Sequence, residues 1–228
     1  MSLKRQNGAR VASVQQVQNK MSFKERTIIC FIRHGQTDWN LQSRMQGREE
    51  VPLNETGINQ AKEASSALSK TKDSFGWSKI ITSPLSRAKD TANMIKEATE
   101  CPSIIVDERL LERDFGALSG TEYNSFSKAV FGNVPELSTV ETVESLLGRV
   151  NELIEEKVSE GEHVLFVTHG AVTRVFADNA KRSSTCPDIK GLSIGNCHMA
   201  IYSYDNRELL LEGYNVSCEE FSEFLEEK

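Results

Sequence analysis

The chain has 228 residues, 38% of them hydrophobic, and its 33 acidic and 27 basic side chains give a formal net charge of -6. This length is enough to bury the core of one globular domain, and the acidic balance argues against broad binding to nucleic acid. Because the apolar runs are also too short to span a bilayer, the sequence predicts neither a nucleic-acid partner nor a membrane partner.

The N-terminal extension and the cysteines bear on the cellular compartment. Residues 1–26 are basic, with Glu25 as their one acidic residue. This composition resembles a mitochondrial transit peptide, while a disordered tail or a start at Met21 are the alternatives. The chain has five cysteines, an odd number, and none of them forms a C-x-x-C motif. A disulfide framework is therefore not predicted, which fits a reducing compartment. The predicted location is therefore the cytoplasm, with mitochondrial targeting as the alternative.

From residue 27 onwards, apolar strand patterns alternate with helical patterns. The predicted strands cover 27–32, 79–82, 103–106 and 163–168, and an antiparallel pair covers 198–204 and 208–214. The predicted helices cover 56–70, 84–95 (with Ser83 as N-cap and Pro84 as first residue), 140–159 and 171–180. Strands alternating with helices predict an α/β three-layer sandwich: a mostly parallel central sheet, helices on both faces and an antiparallel edge. Residues 27–228 would form one domain, with residues 121–140 as a cap-like insertion.

Side chains suited to catalysis follow the predicted strands at their carboxyl ends. Arg33 and His34 follow the first strand, Arg87 follows the second, and His169 follows the fourth. Glu112 lies between the last two of these segments. Since ligands of parallel sheets bind beyond the carboxyl ends of the strands, we expect all five side chains to meet in one crevice.

These residue types suit phosphoryl transfer. Guanidinium groups are planar, permanently charged donors for phosphate oxygens, and beside His34 they disfavour its protonated form, which leaves a nitrogen free as nucleophile. Glu112 would protonate the leaving oxygen and then deprotonate the attacking water, and His169 would be a charged donor to the transferring group. Backbone N–H groups at Gly35 and Gly170 would add contacts to the anion. No His, Cys, Asp or Glu cluster has metal-ligand spacing, so neither a metal nor another cofactor is predicted.

Four short motifs follow one another along the chain. They are Arg33-His34-Gly35 with Thr37 and Asn40, Ser83 with Arg87-Ala88, Leu110-x-Glu112 with Gly116, and His169-Gly170, with a loop at Gln46-Gly47 after the first. Over about residues 27–215 they resemble the histidine phosphatase superfamily, also called the phosphoglycerate-mutase-like family. The resemblance implies a phosphohistidine intermediate on His34 and catalytic roles for His34, Glu112 and His169. It implies phosphate or substrate binding by Arg33, Asn40, Gln46, Gly47, Arg87 and Gly170.

Two activities are open within this family. The segment 112–118 resembles the mutases closely, but residues 121–148 hold a single basic residue, Lys128, where mutases carry several to grip glycerate phosphates. Ala171 also follows the late His-Gly pair, where mutases tend to have Asn. We therefore predict a phosphomonoester hydrolase for a small phosphorylated metabolite, fructose 2,6-bisphosphate being one candidate. A cofactor-dependent phosphoglycerate mutase is the alternative.

Other classes of protein fit the sequence less well. The stretch 191–195 matches the G-x-S-x-G motif of serine hydrolases, but a strand-like segment follows it where that motif needs a helix. No cysteine begins a Cys-x5-Arg motif, and no Gly-Lys pair exists for a Walker A loop. A non-catalytic phospholigand-binding module would be expected to have lost His34 or Glu112, and both are present. The sequence indicates no oligomeric state.

Overall fold

The computed structural model describes residues 26–73, 75–123 and 135–227. The strands are β1 (Thr27–Arg33), β2 (Lys79–Thr82), β3 (Ile104–Val106), β4 (Val164–Thr168), β5 (Lys181–Arg182), β6 (His198–Asp205) and β7 (Glu208–Ser217). The α-helices are α1 (Asp38–Leu41), α2 (Glu55–Ser69), α3 (Ser86–Thr99), α4 (Val143–Lys157), α5 (Gly170–Asn179) and α6 (Phe221–Glu227). All of the predicted N-terminal extension except Arg26 lies outside the described residues.

The strands form one seven-stranded sheet in the order β3-β2-β4-β1-β6-β7-β5. β3, β2, β4 and β1 run parallel, whereas β6 is antiparallel to both β1 and β7. The short β5 pairs parallel with β7 at the far edge. The predicted α/β sheet, mostly parallel with an antiparallel part, is confirmed.

Strand β1 shows why helices cover both faces of the sheet. Its side chains alternate between two buried clusters, with Ile28, Cys30 and Ile32 in one and Ile29 and Phe31 in the other. The first cluster includes residues of α2, α3 and α6, and the second includes residues of α4 and α5. A continuous apolar strand therefore lies in the middle of three layers, as predicted.

Helix α3 begins later than the sequence predicts. Its first residue is Ser86, and Leu85 occupies the N-cap position without a side-chain hydrogen bond, so the predicted Ser83 N-cap is wrong. The Ser83 hydroxyl is instead within 2.8 Å of His169 Nε2, because the end of β2 lies beside the end of β4. The same hydroxyl accepts from the Leu85 amide at 3.4 Å, so Ser83 joins a local turn to a tertiary contact.

The cap-like insertion predicted for residues 121–140 is only partly covered by the structure. Residues 124–134 lie outside the described residues, and Pro135–Thr139 form a short 3-10 helix ahead of α4. The insertion as a unit therefore stays a prediction. In the described part of the chain, no helix combines the length and the hydrophobicity needed to span a bilayer.

Candidate active site

A pocket of about 850 Å³ opens beside the carboxyl ends of β1 and β4. The predicted site residues that line it are Arg33, His34, Asn40, Gln46, Glu112 and Gly170. The other three, Gly47, Arg87 and His169, are buried and do not belong to its lining. The structure thus brings the predicted residues together in two groups, one at the wall and one behind it.

The parallel pairing of β1 with β4 sets the two histidines side by side. Arg33 pairs with Thr168 at the strand ends, and the His34 amide continues the ladder by donating to the Thr168 carbonyl at 3.0 Å. The His34 and His169 ring centroids are consequently 5.2 Å apart. Residues 135 positions apart in the sequence become neighbours through one strand register.

One hydrogen bond fixes which nitrogen of His34 can react. Its Nδ1 lies 2.6 Å from the Gly35 carbonyl oxygen, and since a carbonyl only accepts, Nδ1 carries the proton. Nε2 therefore keeps its lone pair. Burial, and then the charges of Arg87 and Arg33, hold the pKa of His34 well below its usual value. The predicted neutral nucleophile agrees with this geometry.

The two arginines are held by backbone carbonyls. Arg87 is fully buried, and its Nη1 and Nη2 donate to Glu49 O at 2.7 Å and Gly47 O at 2.9 Å. Burial lowers its pKa to about 10, so the guanidinium remains charged at neutral pH. Arg33 Nη1 donates to Ile194 O at 2.8 Å. The Nε atoms of both arginines are buried with no hydrogen-bond partner among the described residues.

Glu112 is anchored at the N-terminus of α5. One carboxylate oxygen accepts from the Arg113 amide at 2.8 Å and from the Val172 amide at 3.2 Å, and the other accepts from the Ala171 amide at 3.3 Å. Unpaired N–H groups at a helix start carry partial positive charge and favour an acidic side chain. The carboxyl group is thus held at the pocket wall by backbone donors on two chain segments.

His169 lies behind the pocket wall, beside the end of β2. Its Nε2 contacts Ser83 Oγ, and its buried Nδ1 has no hydrogen-bond partner in the part of the chain that the structure describes. Burial, Arg87 and His34 lower its pKa well below the usual value. A phosphate dianion against the ring would favour the charged form, so the charged donor to the transferring group stays a prediction.

Each of the predicted glycines has a local packing role, and the expected anion contact is corrected for Gly35 alone. The Gly35 amide donates to Thr91 Oγ1 at 3.2 Å, so it is not available to an anion, and a Cβ there would come within 2.4 Å of the Gly57 carbonyl oxygen. Gly170 leaves room for Arg33, whose Nε would lie 3.3 Å from a Cβ at that position. Gly47 has a positive φ of 52° and turns its carbonyl towards Arg87.

Asn40 and Gln46 both lie at the pocket wall, and their contact with substrate stays a prediction. Asn40 also closes a capping box with Thr37 at the start of α1, so it serves the helix and the site together. The Gln46 Oε1 atom is buried without a hydrogen-bond partner among the described residues.

Sequence reasoning missed Asn196 and the residues at the mouth of the pocket. Asn196 Nδ2 donates to the His34 carbonyl at 2.9 Å and lies 3.3 Å from Asn40 Oδ1. The missed residues at the mouth include Arg44, Glu122, Tyr123, Arg174 and Asp178. None belongs to a motif with regular spacing, because they come from separate loops and from one helix face. Ser193 lies in a loop that leads into β6, so the arrangement needed for a serine-hydrolase nucleophile is not present there.

The part of the chain that the structure describes contains no group of three or more His, Cys, Asp or Glu side chains arranged to hold a metal ion. Metal-free catalysis stays a prediction for this protein.

The fold and the site define an α/β protein with two neighbouring histidines and two arginines where the parallel strands of its sheet end. Residues 29–217 match the family model described as histidine phosphatase superfamily (branch 1), and the chain belongs to this family. This confirms the resemblance that the four motifs carry.

Relatives and a solved structure support phosphate hydrolysis. The protein named uncharacterized phosphatase PhoE of Bacillus subtilis is 34% identical, over 84% of this chain and 95% of its own. A metal-independent phosphoserine phosphatase of Arabidopsis thaliana is 32% identical, over 77% of each chain. The solved mycobacterial glucosyl-3-phosphoglycerate phosphatase, in complex with VO3, is 26% identical, with a TM-score of 0.68, over 84% of this chain and all of its own. The predicted phosphatase is confirmed, although probable phosphoglycerate mutases also match, one from Proteus mirabilis at 27% identity.

Proposed function

We propose that the protein hydrolyses phosphomonoesters of small metabolites through a phosphohistidine formed at Nε2 of His34. The observation that supports this most directly is the bond from His34 Nδ1 to the Gly35 carbonyl, which leaves Nε2 unprotonated in a pocket with two arginines beside it. A nucleophile needs such a free lone pair at the operating pH.

In the first step, the Nε2 lone pair attacks phosphorus and the bond to the ester oxygen breaks. Arg33 and Arg87 balance the charge on the three equatorial oxygens. Glu112, carrying a proton, gives it to the departing oxygen, so that an alcohol leaves. His169, next to His34, donates to the same phosphoryl group.

In the second step, water attacks the phosphohistidine. Glu112, now ionised and held by three backbone N–H groups, takes a proton from that water. The P–N bond breaks, its electron pair returns to His34 Nε2, and inorganic phosphate is released. One carboxyl group thus serves both half-reactions.

Hydrolysis is expected to be faster than mutase activity. A mutase must retain a bisphosphate intermediate, and the segment 121–148 offers only Lys128 as a basic residue to grip it. We expect free phosphate to be the main product when 3-phosphoglycerate is supplied with catalytic 2,3-bisphosphoglycerate. The measurement follows 2-phosphoglycerate and phosphate together, and interconversion many times faster than phosphate release would restore the mutase assignment.

The mouth of the pocket points to a substrate with a second charged group. Arg44 and Arg174 line it together with the acidic Glu122 and Asp178. Arg174 Nη1 donates to Tyr123 Oη at 3.2 Å, and its Nε lies 3.6 Å from Asp178. A wall with both signs of charge suits sugar phosphates less than phosphorylated carboxylic or amino acids, which place a charge near the phosphate. We propose the latter as the substrate class, with phosphoserine, phosphoglycerates, fructose 2,6-bisphosphate and phosphopeptides in the test panel.

Replacing Arg174 with alanine is expected to raise KM roughly tenfold for a substrate with a second anionic group, the value of one hydrogen bond to a charged group. The KM for p-nitrophenyl phosphate, which lacks that group, is expected to stay within about twofold, because it lacks the contact being removed. Arg182→Ala is the matched control, since Arg182 is similarly exposed but pairs with Asp188 outside the pocket lining. Equal KM changes for both substrates would show that Arg174 does not bind the second anionic group of the substrate.

A further inference from the structure

A largely buried ion pair lies against the segment that carries Glu112. Arg149 on α4 bonds Glu141 twice, from Nε to Oε1 at 2.7 Å and from Nη2 to Oε2 at 2.9 Å. The side chains of Glu141 and Arg149 are only 7% and 14% exposed. Such a bidentate pair holds both side chains in one geometry. Neither residue lines the pocket, so we do not expect either of them to contact the substrate.

Arg149 also forms hydrogen bonds with the backbone that leads into Glu112. Its Nη1 donates to the Arg109 carbonyl, and its Nη2 lies 3.5 Å from the carbonyl of Glu112 itself. These two carbonyls bracket the residues that lead out of the short 3-10 helix at 108–110. The path of the chain into Glu112 therefore depends on Arg149.

Glu141 forms hydrogen bonds with the two residues that follow Glu112. The Glu141 carbonyl accepts from Arg113 Nε at 2.8 Å, and its amide donates to the Asp114 carbonyl at 2.8 Å. Its Oε2 also accepts from the Asp114 amide at 3.2 Å. Residues 113 and 114 are thus tied to Glu141 by both backbone and side chain.

We propose that Glu141 and Arg149 are positioning residues, which clamp the backbone on both sides of Glu112 and so aim its carboxyl group at the leaving oxygen. The proposal rests on the general acid–base role of Glu112 put forward above. The carboxyl bonds to α5 fix one end of this side chain, and the clamp fixes the backbone at the other end. A shift of about 1 Å in a reacting group can cost on the order of 10²-fold in rate, so a clamp on Glu112 would matter even without touching substrate.

The test is the leaving-group dependence of kcat/KM, which reports the steps up to phosphoryl transfer. Glu141→Gln keeps the size of the side chain but weakens the pair. We expect it to lower kcat/KM roughly 10–100-fold for an alkyl phosphate and only a few-fold for p-nitrophenyl phosphate, whose leaving group needs little protonation. Arg149→Lys provides a second variant, which keeps the positive charge but cannot form the two parallel hydrogen bonds of the guanidinium group. Inhibition by inorganic phosphate is expected to stay within about threefold, because the arginine and histidine groups that bind it are unchanged.

A double-mutant cycle separates this proposal from the function on which it rests. If Glu141 acts through Glu112, adding Glu141→Gln to Glu112→Gln should cause no further loss with the alkyl phosphate. Additive losses, or equal losses for both leaving groups, would reduce the pair to a purely structural role. Glu162→Gln is the control for a lost ion pair, since it breaks the 2.6 Å contact with Lys79 outside the pocket lining. If Glu112→Gln alone lacks the leaving-group effect, the acid–base assignment fails instead.

Discussion

The His34→Ala variant is expected to lose about 10⁴–10⁶-fold in kcat, the range seen when a catalytic nucleophile is removed. His34 lines the pocket, and its Nδ1 donates to the Gly35 carbonyl. Its Nε2 therefore keeps a free lone pair for the attack on phosphorus. Activity of the wild type should persist below pH 6.5, since burial and Arg87 keep the pKa of His34 low and protonation would occur only at still lower pH.

Labelling of the wild type locates the intermediate. Brief incubation with a radiolabelled substrate, followed by an alkaline quench, should trap an acid-labile adduct that peptide mapping places on His34. His163→Asn is the control, because His163 lies outside the pocket lining. Its ring stacks on Phe75, with the two ring centroids 4.1 Å apart. A wild-type rate for His34→Ala, or label on another residue, would refute the mechanism.

The Glu112→Gln variant is expected to slow the hydrolysis of alkyl phosphates by roughly 10²–10⁴-fold, the usual contribution of one general acid–base. The amide oxygen can still accept from the Arg113 and Val172 N–H groups, and only the 3.3 Å bond from the Ala171 amide is lost together with the transferable proton. The loss in kcat/KM should shrink for p-nitrophenyl phosphate, because nitrophenolate leaves without protonation. The measurement is kcat/KM across a series of esters that differ in leaving group.

A matched control for this variant is Glu108→Gln. Glu108 lies on the same connecting segment, is exposed, and does not line the pocket, so its loss should leave the rate unchanged. If Glu112→Gln slows good and poor leaving groups alike, the proton donor must be sought elsewhere, with Asp114 as the next carboxyl group along the chain.

The sequence by itself was enough to predict the architecture and to propose the residues that react. The apolar run of β1 is typical of a buried strand, and His34 follows directly where that strand ends. His169 likewise follows β4 directly, whereas Arg87 lies in the first turn of α3 and Glu112 comes after a short 3-10 helix. Because parallel strands place their carboxyl ends at one edge, local pattern alone was enough to predict that these residues meet.

The tertiary structure alone decided how each of these groups is held. The Ser83 hydroxyl contacts His169 from 86 residues away, while α3 begins only at Ser86. Asn196 fixes the His34 carbonyl across 162 residues, and Arg87 takes the Gly47 carbonyl across 40. The Glu141–Arg149 clamp on Glu112 likewise joins segments that no periodicity connects. Hydrogen bonds between distant segments leave no spacing in the sequence, because they depend on how loops pack rather than on the period of a helix or strand.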